Sequence, residues 1–414
     1  MNQSIMEYQI SYYGGSSSSH TNNLQPMLSL SSQRSLASIP SLNNNSQSHD
    51  PHHHCLTILK GHNSYISSLT FSDKILFTGS SDREIKSWNP IPYYSELDLQ
   101  NKNAGSISST INTVLAGKGA VKSLVFQSDK LFSAHQDHKI RVWKISSIND
   151  EPEHQKYTRL ATLPTLGDRA LKMLIPKNHV QIRRHKKCTW VHHVDTVSAL
   201  ALSKDGGTLL YSVSWDKTIK IWRTSDFTCL ESVNNAHDDA INAVVVSYDG
   251  RVYTGSADNT IKVWEKCQGE KKHSLIDTLE KHNSGINALA LSSDESLLYS
   301  GACDRSILVW EKVEDERKMV VVGALRGHKK SILCLCVVSD LVCSGSADKT
   351  IRIWRGFGRE YSCLVVLEGH MGPIKCLTAI VDHSNSSESE ASFLVYSGSL
   401  DCDIRVWQIF VPAV

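Results

Sequence analysis

The sequence has little of what most catalytic or nucleic-acid-binding chains display. Its 44 Lys and Arg nearly cancel its 42 Asp and Glu, leaving a net charge of +2. Tight binding to nucleic acid or a membrane surface draws on a strong basic field, so direct nucleic-acid binding is not expected. No apolar run approaches the ~20 residues that span a bilayer, so no membrane partner is expected. Residues 1–10 lack the basic start and apolar run of a secretory signal. The 11 cysteines form no C-x-x-C pair, and the tightest spacing is Cys334 to Cys336. That excludes a zinc ribbon or a recurrent disulfide framework and reads instead as small buried hydrophobes. No G-x-S-x-G, H-E-x-x-H or G-x-x-x-x-G-K-[ST] stretch occurs. The expectation is a non-enzyme with no catalytic residues, no cofactor and no bound metal.

What is present divides in two. In residues 1–54, Ser, Asn, Gln and His fill 30 positions, and only Glu7, Arg34 and Asp50 are charged. So polar a stretch buries too little apolar area to offset its conformational entropy, and the sequence predicts disorder over 1–54. Within it, Arg34 followed by Ser38 has the form of a basic-directed phosphorylation site.

Residues 55–414 repeat. Seven tryptophans each sit six residues after an aspartate, with isoleucine midway, from Asp82–Ile85–Trp88 to Asp401–Ile404–Trp407. Upstream stands a Gly-His or similar pair, as at His62, His237, His282, His328 and His370. It is followed by alternating apolar residues and by a Thr-Gly-Ser or Ser-Gly-Ser step. Period-two alternation bounded by turn residues indicates strands, four to a unit. The chain stops soon after the third strand of the seventh unit. Leu56 to Leu59, which has no other assignment, is expected to complete that unit, because a closed ring leaves no free sheet edge.

This pattern resembles the WD-repeat (WD40) family, which implies an all-β, seven-bladed β-propeller. The resemblance also implies a buried hydrogen-bonded tetrad in each blade: His62, Thr78, Asp82 and Trp88 in the first, His237, Thr254, Asp258 and Trp264 in the fourth. The second unit departs, with Gly117 at the His position beside Ser133 and Asp137, and is expected to be the least rigid. The family's aspartate after each tryptophan is absent at all seven positions.

The spacing from Trp143 to Trp222 is the longest between successive repeat tryptophans, and it locates an insertion, read as 145–186 between the third and fourth strands of blade two, where the resemblance implies a loop on the bottom face. It holds the densest basic cluster, Arg183, Arg184, Lys186 and Lys187, which suits nuclear import or an acidic partner. Leu160–Arg169, Pro176–Lys187 and Trp190–Val197, together with the Ser-rich head, resemble a plant subgroup of the family. That implies regulatory work in pollen germination and tube growth, in cytoplasm and nucleus. The Ser-rich acidic stretch 382–390 reads as a flexible loop.

Partners of the family often use the residues three and five after the His and the one before the turn Asp. Carried over, these include Tyr65, Lys122, Gln136, Trp215, Asn242, Asn287, Leu333, Lys375 and Leu400. Trp215 stands where most units carry a smaller residue, which marks it as a contact for other proteins. Two alternatives compete with an adaptor. One is a substrate receptor of a cullin ubiquitin ligase, for which the missing W-D-x-R steps count against. The other is binding of anions or nucleic acid through the basic insertion.

Overall fold

The computed structural model describes residues 39–42 and, between 52 and 412, all but 73–74, 90–111, 115–116, 149–150, 174–178, 184–185, 267–268, 270–271, 314–317, 358–359 and 388. Seven four-stranded antiparallel sheets follow one another. Blade one runs from Ile66–Ser72 to Asn112–Val114, blade two from Val121–Gln127 to Glu151–Leu163, and blade three from Val197–Leu202 to Cys229–Val233. Blades four, five and six begin at Ile241, Ile286 and Ile332 and end at Leu279, Leu325 and Leu367. The innermost strand of each blade touches that of the next, and blade seven's (Ile374–Val381) touches blade one's, so the ring is closed.

The repeated residues make the repeated contacts. The isoleucine and tryptophan of each third strand are buried, as with Ile85 and Trp88. They pack between successive sheets, the usual source of stability for a stack of half-buried strands. The glycine of the Thr-Gly-Ser step admits the next blade. A Cβ on Gly79 would lie 2.4 Å from Val121 Cγ1, and one on Gly398 2.6 Å from Ile66 Cγ2. The second contact is the one that shuts the ring.

Closure occurs as the sequence predicts. His53–Leu59 pairs antiparallel with Ile404–Pro412, from His53↔Ile409 to Leu59↔Ile404, and is the outer strand of blade seven.

Three expectations need correction. The insertion does not follow the third strand of blade two. Glu151–Leu163 is that blade's fourth strand, paired with Ile140–Ile148. The extra residues come after it, as a helix (Leu166–Met173) and a hairpin (His179–Arg183 with Lys186–Thr189). Leu163 lies opposite Ile140 and Val197 opposite Ser214, so the added elements leave and rejoin the ring at the end carrying the turn aspartates. That is the top face, not the bottom one. Secondly, part of the segment read as disordered is ordered: Ile39 is buried, Ser41 bridges Ala324, and His53 and His54 already belong to a strand. Ile39 and Leu42 are apolar residues in a polar tract and find an apolar edge. Residues 1–38, with Ser38, and 43–51 lie outside the described residues. Thirdly, the 382–390 stretch folds around buried Asp382, whose carboxylate accepts from Asn385 Nδ2 (2.8 Å), Ser392 Oγ (3.1 Å) and Gln408 Nε2 (3.0 Å).

Candidate functional site: the tetrads and the top face

Each blade's top end is organised by a buried polar chain. In blade one, His62 Nδ1 lies 2.7 Å from Asp82 Oδ2 and Nε2 lies 2.7 Å from Thr78 Oγ1, which accepts from Trp88 Nε1 at 2.8 Å. Blade four repeats it, with His237 2.8 Å from both Asp258 and Thr254, and Trp264 Nε1 2.9 Å from Thr254 Oγ1. Blades three, five, six and seven do the same through His193, His282, His328 and His370. A carboxylate can only accept, so Nδ1 donates to the aspartate, Nε2 accepts from the hydroxyl, and the hydroxyl accepts from the indole. The aspartate also accepts the backbone N–H after the His, as from Asn63 and Asp238. Burial pushes the Asp82 and Asp258 carboxyls up, but the histidine and backbone hydrogen bonds outweigh it and hold both below the usual carboxylate range. All four members are engaged within the blade, so the chain is structural. Glu84, beside His62 and Asp82, pairs with Lys86 at 3.2 Å.

Blade two is rebuilt rather than broken. His135, two residues after Ser133 on the second strand, takes the missing histidine's place. Its Nε2 lies 2.9 Å from Ser133 Oγ, which accepts from Trp143 Nε1 at 2.9 Å, and its Nδ1 lies 3.0 Å from the Gly119 carbonyl. A carbonyl ends the chain where a carboxylate ends the others. Asp137 pairs instead with the Arg141 guanidinium through two contacts, 3.1 and 2.5 Å. Gly117 makes that possible, since a Cβ there would lie 2.2 Å from Arg141 Cζ. Sequence reasoning missed His135. Its only signal was Ser133-Ala134-His135 standing where other units have Thr-Gly-Ser.

The backbone explains why residues far apart in sequence meet on the top face. In every blade the residue before the turn aspartate donates its N–H to the carbonyl three residues after the His position. Examples are Ser81 to Tyr65, Gln136 to Ala120, Trp215 to Thr196 and Leu400 to Pro373. On this frame the structure brings together Tyr65, Lys122 and Trp215 from blades one, two and three. Lys122 Nζ donates to Tyr65 Oη at 3.2 Å and lies 5.6 Å from the Tyr65 ring centroid and 5.7 Å from that of Trp215. Burial pushes the Tyr65 phenol up, but Lys122, a hydrogen bond with Ser81 and the Lys375 charge hold it below its ordinary value. Lys375, Gln136 and Leu400 are exposed, and Leu333 is half-buried. Met371, one residue after His370, is 75 % exposed and was not foreseen.

Asn242 and Asn287 have another use. Their side-chain amides donate to Ile286 O (2.9 Å) and Ile332 O (2.8 Å), each in the next blade. Ser67 and Ser198 reach Val121 O and Ile241 O in the same way. These four positions staple neighbouring blades. Of the basic cluster, Arg183 and Lys186 face each other in register at the hairpin's end with Lys187 beside them, and Arg184 lies outside the described residues.

Comparison with known proteins agrees with this geometry. The family described as WD domain, G-beta repeat matches residues 53–89, 185–223, 227–265, 273–311, 319–355 and 361–408, together more than half of the chain. Blade two falls between the first two matches. Autophagy-related protein 16 of Arabidopsis thaliana is 24% identical over 288 residues, 65% of this chain and 53% of that protein. The 66 kDa stress protein of Physarum polycephalum is 26% identical over 359 residues, 85% of this chain and 47% of that one. The chain thus spans about half the length of these curated relatives. The crystal structure of the WD40 β-propeller domain of Doa1 superposes with a TM-score of 0.61 at 20% identity, covering 86% of this chain and 96% of that one.

Proposed function

The chain belongs to the WD-repeat family, and on that premise we propose that it is an adaptor that grips partner proteins through the top face of blades one to three and seven. Propellers of this family are generally non-catalytic scaffolds for protein interaction. Among the described residues no helix is long and apolar enough to cross a membrane.

One observation carries the reading. Tyr65, Lys122 and Trp215 converge from three blades, with the Lys122 ammonium within reach of both rings. A cation held between two rings, with Lys375 nearby, presents flat apolar area next to positive charge. That chemistry suits a partner segment carrying an acidic group beside an apolar side chain. The likeness of 160–190 to the plant subgroup typified by Jingubang extends the reading to regulatory signalling in pollen germination and tube growth, in cytoplasm and nucleus.

Affinity capture from pollen extract tests it, with the intact chain beside Trp215→Ala and Arg183/Arg184/Lys186/Lys187→Ala, all three first shown to melt alike. Trp215→Ala is expected to lose captured proteins that the intact chain retains. Loss only with the basic variant moves the binding surface to the hairpin. Unchanged capture by Trp215→Ala refutes the top-face site.

A further inference from the structure

Away from the top face, the outer rim of blades five and six carries a built peptide groove. The outermost strand of blade five, Met319–Leu325, has no charged residue along its length. An uncovered edge of that kind pairs readily with any extended chain. Here it is covered by Ile39-Pro40-Ser41-Leu42. Ala324 N donates to Pro40 O (3.0 Å) and Leu42 N to Ala324 O (3.0 Å), a parallel bridge centred on Ser41. Tyr361 N, on the outer strand of blade six (Glu360–Leu367), donates to Leu42 O at 2.8 Å, and Arg326 Nη2 donates to Ile39 O at 3.0 Å. All four bonds use main-chain atoms of the segment, so they recognise an extended backbone rather than a sequence.

Selectivity comes from two pockets. Ile39 is 5% exposed, in the cluster that holds Met319 and Ala324. Leu42 packs on the cluster that holds Tyr299 and Tyr361, over Gly323, where a Cβ would come within 2.3 Å of Leu42 Cγ. Gly323 is thus a cradle shaped for an incoming side chain. Proline is accommodated second because the hydrogen bond made there uses its carbonyl, and Pro40 and Ser41 are both exposed.

We propose that this groove is a docking site for extended partner segments reading aliphatic–proline–small polar–leucine, and that Ile39–Leu42 is an intramolecular occupant which such a segment displaces. Two features make the occupant exchangeable. Among the described residues it grips the rim through four main-chain hydrogen bonds and the side chains of Ile39 and Leu42, and closure of the ring by His53–Leu59 uses none of them. Peptides that add a strand to a sheet edge gain affinity from main-chain bonds and specificity from side-chain pockets, as this segment does.

The test is fluorescence anisotropy with a labelled peptide of the sequence of residues 36–45. The proteins are the intact chain, its Ile39→Asp/Leu42→Asp variant, and that variant with Gly323→Val added. The double variant, its groove vacated, should bind the peptide about tenfold or more tightly than the intact chain. Gly323→Val should abolish binding, and so should aspartate for leucine in the peptide. Failure of the double variant to bind while melting like the intact chain overturns the proposal, as does binding indifferent to Gly323→Val. Hydrogen exchange on the intact chain needs no variant. The amides of Leu42, Ala324 and Tyr361 should exchange well before that of Val309 in the inner ladder, and equal protection would make the segment a fixed part of the fold.

Discussion

Blades two and four reach the same buried hydrogen-bond chain by different routes. In blade four it runs from the Trp264 indole through Thr254 and His237 to the Asp258 carboxylate, and the histidine comes from the loop that leads into the blade. In blade two it runs from the Trp143 indole through Ser133 and His135 to the Gly119 carbonyl, and the histidine comes from the strand itself. The direction of donation is the same. What the fold requires is therefore an acceptor for the indole and an imidazole behind it, not a histidine at a fixed place in the repeat. Freed from its histidine, Asp137 needs another partner and takes Arg141. The next blade-four residue in that register, Lys262, bonds the Ala236 carbonyl instead, at 2.9 Å.

The hydroxyl is the hub of both chains, and removing it is the strongest way to break the comparison. Ser133→Ala and Thr254→Val each leave a buried indole N–H and a buried imidazole nitrogen without a partner. Each should cost about 2–4 kcal/mol in chemical denaturation. Similar losses would mean that the rebuilt chain is as necessary as the regular one. A much smaller loss for Ser133→Ala would mean that the Arg141–Asp137 pair holds blade two by itself.

Acid separates the two blades next. Burial, then the Arg141 charge, push the His135 imidazole down to about 4 against the Gly119 hydrogen bond and the Asp137 charge. In the unfolded chain it titrates near its ordinary value of about 6.5. A depressed folded value favours the neutral form. Its stability is complete above pH ~6.5, falls as the unfolded state takes up the proton, and is spent below pH ~4, roughly 3 kcal/mol in all. Asp258 is held low as a carboxylate, so its contribution is intact through that window and is lost only at lower pH. His193 and His370 are also shifted down by burial, so the slope of the intact protein is shared. The discriminating measurement is stability against pH for His135→Gln, which should flatten the slope between pH 6.5 and 4. An unchanged slope would show that folding leaves the proton uptake of His135 unaltered.

The same two blades show where the sequence is legible. Blade four's tetrad is readable because its members keep a fixed order and spacing, His237, Thr254, Asp258 and Trp264, and each spacing follows from one strand or turn. In blade two the spacing of Ser133, Asp137 and Trp143 survives, but the compensation is three-dimensional. Gly117 in the loop, Arg141 on the third strand and His135 on the second fit one another only once the strands are paired. Tryptophan spacing likewise measures how much has been inserted after Trp143, but not where. The alternation from Tyr157 to Leu163 was the clue that a fourth strand precedes the helix and hairpin. Ile39 and Leu42 were hidden for a simpler reason: two apolar residues make no periodicity, and their meaning lies in the uncharged edge they cover.

The smallest expected effect sharpens the comparison most, because it exchanges the residues by which the two blades differ. Arg141 is nearly buried and meets both oxygens of Asp137, which is about one-fifth exposed. Lysine keeps the charge but not the fork, so Arg141→Lys should cost about 1 kcal/mol through the second hydrogen bond. Lys262 makes a single bond to a carbonyl, which a guanidinium can also make, so Lys262→Arg should cost less than about half of that. The asymmetry should vanish when Asp137→Asn is added, because a neutral amide neither needs nor rewards the fork. A double-mutant cycle on Arg141 and Asp137 therefore decides whether the arginine serves the orphaned aspartate or merely fills the space left at Gly117. If Arg141→Lys costs the same with Asp137 as with asparagine, the arginine is packing, and the ion pair is a by-product of where the missing histidine left room.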